Sequence, residues 1–136
     1  MPAALKQLAS VYLILVGLAV AVQFIIFPFY EEHDADLVVW RTLDWFMAAG
    51  LLLALAGTFL RKREFDASTD DPSWREYVEV NGLFYGVVAL TLAFLPNWFA
   101  VEWGSGGDFT IWHIIDTAMP ILFVVVGLRL WREATS

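Results

Sequence analysis

Two pairs of residues carry the chemistry that this chain could perform. Arg41 and Asp44 stand three positions apart, and so do His113 and Asp116. On a helix that separation puts both members of a pair on one face. All four fall inside long apolar segments, where an ionisable group is costly to hold and is a functional candidate by default. Their charges sum to −1 with His113 neutral and to 0 with it protonated. The cluster is therefore expected to respond to pH around 6–7, where an unperturbed imidazole titrates. Three chemistries compete. The first is a structural clamp in which Arg41 bridges Asp44 and Asp116. The second is a pocket or pathway for a proton, an ion or a small polar group. The third is a metal site using His113 with Asp116, Asp44 or an acid of the loop that follows the first apolar run. A lone imidazole with carboxylates is a thin donor set for a transition metal, so His113 and Asp116 are weak ligand candidates. Axial haem ligation would need His33, which the sequence places in a loop well above His113.

Other chemistry is scarce. The chain has no Cys, which removes thiolate catalysis, iron–sulfur clusters, Cys-ligated zinc and disulfides. It contains no G-x-S-x-G, P-loop, H-E-x-x-H or G-x-G-x-x-G motif, and no serine has a histidine beside it. Nothing in the sequence marks an enzyme or specifies a cofactor. The Glu31–Asp36 link packs four acids and His33 into six residues, but without calcium-loop spacing or a turn glycine. It reads as a solvated hairpin loop.

The elements that must position the two pairs are membrane helices. Of the 136 residues, 60% are hydrophobic and 17% charged, and mean hydropathy is +0.65; soluble domains average about 45–50% apolar and about 25% charged. A soluble globule of this size could not hide so much apolar surface. Four runs are long enough to cross a bilayer, which takes about 20 helical residues. They are Leu8 to Tyr30, about Leu37 to Leu60, about Val78 to Phe99, and Phe109 to Trp131. Backbone groups in lipid must be satisfied within a segment, so the runs are expected to be helices. Ala19-Val20-Ala21 resembles a leader cleavage site, yet the apolar run continues through Phe29, and the segment reads as a retained span.

Charge sets the orientation. Lys6, Arg61, Lys62, Arg63, Arg75, Arg129 and Arg132 fall on the side of both termini, and only Arg41 on the other. By the positive-inside rule both termini are expected in the cytoplasm, across an inner membrane. The opposite half holds Glu31, Glu32, Asp34, Asp36, Asp44, Glu102, Asp108 and Asp116 against Arg41, which sums to −7. Nucleic acid is not an expected partner, since it would require a basic patch. At the start of the third run, Arg75 and Glu79 suit an i,i+4 pair.

The chain also repeats itself. Trp40-Arg41-Thr42-Leu43-Asp44-Trp45-Phe46-Met47 aligns with Trp112-His113-Ile114-Ile115-Asp116-Thr117-Ala118-Met119, offset by 72 residues. The expected architecture is an all-α four-helix membrane bundle, one domain over 1–136. Two tandem hairpins would build it, at about 5–63 and about 74–133, as a parallel repeat. Close packing in lipid relies on small residues. Gly82 and Gly86, continued by Ala89 and Ala93, form one candidate stripe; Gly50, Ala54 and Gly57 form another, and Gly17 with Ala21 a third. Pro120 should kink the fourth span near Asp116. Five of the seven Trp (40, 45, 98, 103 and 112) lie toward the acidic side and read as an interfacial belt.

In size, number of spans and two-hairpin layout the chain resembles several small bacterial membrane families, including the DoxX-like proteins. The resemblance is architectural and carries over no residue roles. The first functional expectation is a small accessory or structural subunit that packs in the bilayer against partner membrane proteins or copies of itself. The alternative is a binding protein or carrier for a proton, ion or small lipophilic molecule, centred on Arg41, Asp44, His113 and Asp116. A membrane enzyme or metal site at the same cluster comes third.

Overall fold

The computed structural model describes residues 1–30, 38–68 and 70–136. The acidic link with Glu31, Glu32, His33, Asp34 and Asp36 lies outside them. Four helices account for nearly all the rest: α1 (Ala3–Tyr30), α2 (Val38–Ala67), α3 (Trp74–Trp103) and α4 (Phe109–Thr135). Each is long and apolar enough to cross a membrane. The chain is an all-helical, multi-pass bundle.

The helices outrun the apolar runs, for local reasons. Ser73 caps α3, its hydroxyl accepting from the Glu76 N–H at 3.1 Å. That starts the helix one turn before Val78. α2 continues beyond Leu60 through Arg-Lys-Arg-Glu, residue types that favour helix, with Lys62 bonded to Asp66 at 2.8 Å. α3 passes through Pro96 and stops where the Gly104 and Gly106 N–H groups both donate to the Ala100 carbonyl, at 3.0 and 2.9 Å. Gly106 has φ +93°, a conformation that glycine adopts without steric cost. At 27–30 residues the helices are about 40–45 Å long. Their polar ends therefore project past a hydrocarbon layer of about 30 Å.

The four helices form a ring in which α1 and α3 stand at opposite corners. The most intimate pair is α1 with α4, the first and last helices of the chain. A Cβ at Gly127 would lie 2.7 Å from Ile14 Cγ1 and 3.0 Å from the Ser10 carbonyl, and one at Gly17 would lie 3.3 Å from the Pro120 carbonyl. Ser10 donates its hydroxyl proton to the Gly127 carbonyl at 2.5 Å. Tyr12 makes the equivalent tie to α2, donating to the Phe46 carbonyl at 2.8 Å. Phe123 of α4 lies over Gly50 of α2. The core around it includes Leu13, Val20, Met47, Leu51, Phe94, Ile115 and Met119.

Several expectations are met differently. Gly57 packs on Leu130 and Gly86 on Leu122, but Gly82 has nothing within 4 Å of a Cβ position and faces outward. Glu79 pairs with Arg129 of α4, not with Arg75. A cross-helix guanidinium was invisible to a rule based on spacing within one helix. Lys6 and Arg61 both reach Glu133, at 3.4 and 2.8 Å, so an ionic network closes the end of the bundle that carries the termini. The tryptophans at the other end are not a simple belt. Trp98 is buried and stacked on Phe94, Trp45 meets it edge-on at 4.8 Å, and Trp40 and Trp112 turn inward. Pro120, expected to kink the fourth span, lies inside a helix that extends from Phe109 to Thr135.

Candidate functional site

The site lies at the end of the bundle away from the termini. It is assembled by the last turns of α1 and α3 and the first turns of α2 and α4. In both α2 and α4 a Trp stands four residues before the Asp and a basic or imidazole side chain three before it. Positions i, i+1 and i+4 crowd one side of a helix where it meets its neighbours. Trp40, Arg41 and Asp44 therefore come to one cavity with Trp112, His113 and Asp116. Phe24, Phe27, Phe109 and Val101 complete its walls, and its volume is about 200 Å³. Met47 and Met119, at matching positions of the two segments, are both fully buried directly beneath in sequence.

The four polar residues differ in what holds them. Arg41 spans to α3, where its Nη2 and Nε lie 3.3 and 3.4 Å from the two carboxylate oxygens of Glu102. His113 is flanked by the rings of Phe109, at 4.5 Å, and Phe24, at 5.7 Å. Its Nδ1 lies 2.9 Å from the Phe109 carbonyl. A carbonyl only accepts, so Nδ1 is the donor in this contact. Asp44 and Asp116 are 4% and 7% exposed. Among the described residues neither carboxylate receives a hydrogen bond or an ion pair, and Asp116 Oδ1 is fully enclosed without a partner. The bridge expected from Arg41 to both aspartates is thus replaced by the Arg41–Glu102 pair. Glu102 extends from α3 to the guanidinium, and among the described residues no ion pair forms from Arg41 to either aspartate.

The surrounding backbone is firmly held. Asn97 is buried, and its side-chain amide bonds both backbone polar groups of Asp108, at 3.0 and 3.1 Å. Asp108 in turn caps α4, accepting from the Ile111 N–H at 3.0 Å. The short connection from α3 to α4 is locked to α3, which fixes where Phe109, Trp112 and His113 begin. Sequence reasoning missed Asn97 and Glu102 as members of this region. It also missed Phe24 and Phe27, which an uncharged apolar run gives no means of singling out. Trp40 and Trp112 were visible through the repeated W-x-x-x-D spacing and through the tryptophan cluster at the acidic end.

His113 and Asp116 share the cavity, but no group of three metal-ligating side chains assembles among the described residues. Chemically the site offers two buried carboxyl groups, one imidazole, one guanidinium and aromatic walls. No protein family matches the chain, and no curated protein or solved structure is significantly similar to it.

Proposed function

We propose that the chain is an inner-membrane binding protein or carrier for a small, mostly apolar molecule with a polar head, which occupies the cavity between the two hairpins. Both termini lie in the cytoplasm and the cavity opens toward the outer side, in keeping with seven of the eight Lys and Arg at the opposite end. The two hairpins are a tandem repeat, and the site forms where their W-x-x-x-D segments meet. One observation carries the reading. Two buried carboxylates share an aromatic-lined cavity and engage no hydrogen-bonding or ion-pairing partner among the described residues. Buried polar groups are ordinarily satisfied, and a group left unsatisfied in a concave, mostly apolar site marks a place for a ligand. Asp44 and Asp116 hold the polar head, Trp40 and Trp112 cover the body, and the Arg41–Glu102 pair fixes α2 against α3 at the mouth.

The accessory-subunit reading has less to support it. Exposed apolar side chains are spread over all four helices, as Leu15, Leu52, Leu92 and Ile121 illustrate. Lipid alone demands that distribution, and no single face stands out as an interface. Native mass spectrometry of the chain extracted in mild detergent tests the choice. A small molecule retained by the wild type and lost from Asp44→Asn/Asp116→Asn, with helicity unchanged, is the expected result. A stoichiometric protein partner retained equally by both would overturn the reading.

A further inference from the structure

We propose that the molecule bound in this cavity is an organic monocation: an ammonium group borne on a small apolar or aromatic body. The inference rests on the pocket reading above and names its ligand class. Counted formally, with both aspartates ionised and His113 neutral, the lining residues Arg41, Asp44 and Asp116 sum to −1, and the charge of Arg41 is further engaged by Glu102 of α3. No other Lys or Arg lies in the apolar runs at this end. A carboxylate such as Asp116, with an enclosed and unpartnered oxygen, is retained in a low-dielectric site when a counter-charge joins it.

The walls select among cations. Indole and phenyl faces carry negative quadrupole charge and attract an ammonium or quaternary nitrogen. Trp40, Trp112 and Phe27 supply such rings beside the carboxylates. A hard divalent ion would need six or more oxygen ligands, and the described residues assemble no group of three metal-ligating side chains. A hydrated inorganic ion would gain little from walls that are mostly carbon. An anion would meet the wrong charge in the cavity, while a cation would be drawn in by the same field.

The test uses the full chain in lipid nanodiscs and two probes of the same shape. Benzyltrimethylammonium carries the charge; neopentylbenzene, its neutral carbon isostere, does not. Equilibrium dialysis with labelled benzyltrimethylammonium should show saturable binding, with the neutral isostere competing at least about tenfold more weakly, as removal of one favourable charge contact predicts. Asp44→Asn and Asp116→Asn should each weaken the cation by about tenfold or more, and Asp116→Glu should restore part of the loss. Equal binding of the two probes by the wild type would overturn the cation inference and leave the pocket reading standing. Binding of neither would overturn both. The comparison of isosteres uses the unaltered chain, so it decides the matter even where a variant fails to fold.

Discussion

Asp44 and Asp116 decide between a structural and a functional account of the polar cluster. In a clamp they would hold the hairpins together through Arg41, and removing either would break a buried pair at a cost of about 3–5 kcal/mol. In the present geometry Arg41 is engaged by Glu102, and the aspartates face a cavity. Exchanging a buried carboxylate that makes no hydrogen bond or ion pair for a neutral amide of the same shape then leaves the ligand-free bundle unchanged or makes it more stable. Thermal unfolding of Asp116→Asn and Asp44→Asn in detergent should show no loss of Tm, and a fall of several degrees in both would restore the clamp. Arg41 carries its own expectation. Arg41→Gln leaves Glu102 without its bidentate partner and should lower stability by about 0.5–2 kcal/mol, since the pair is only partly buried.

At the scale of the helix, the important close approach was hard to read in advance. Four apolar runs and their helical nature followed from length and composition, because lipid leaves the backbone no alternative. The contact stripes did not. Gly82 and Gly86 have the spacing of a packing motif, yet only Gly86 meets a neighbour, and Gly127, which lets α1 and α4 touch, stands alone in an ordinary apolar stretch. A small residue becomes a contact only when another helix faces it, and the partner is set by the whole ring. The prediction is a contrast. Gly127→Ala drives a Cβ toward the Ser10 backbone, which cannot rotate away as a side chain would, and should cost about 1–3 kcal/mol of overpacking. Gly82→Ala, in open space, should cost nothing; unfolding curves of the two variants read the difference directly. The helices also run past the apolar runs that hydropathy marks. Ser73 and the Arg-Lys-Arg-Glu stretch extend helices by capping and propensity, which an apolar window does not register.

Across the whole molecule, charge is sorted by end. The end with the termini is closed by Lys6, Arg61 and Glu133 with Arg129 and Glu79, and the other carries the acids and the cavity. The repeated W-x-x-x-D spacing pointed to the site's floor, because residue types of unusual cost in lipid stand out against an apolar background. Its aromatic ceiling from α1 could not be seen, since Phe24 and Phe27 look like any lipid-facing residue until the fold brings them to His113 and Trp40. The absence of Cys makes orientation easy to check, because single cysteines can be placed in an otherwise thiol-free chain. Ser136→Cys and Ser68→Cys should resist a membrane-impermeant maleimide in intact cells, while Ser105→Cys should react. The reverse pattern would turn the cavity toward the cytoplasm.

The most direct test of the central claim is photocapture at the cavity wall in living cells. A diazirine analogue of leucine placed at Val101, which lines the cavity, is compared with the same group at Leu52, which is 70% exposed on the outside of α2. The account predicts a discrete small-molecule mass added to the monomer at position 101 and only lipid adducts at position 52. Lipid adducts alone at both positions, or a crosslinked second polypeptide at position 101, would contradict it.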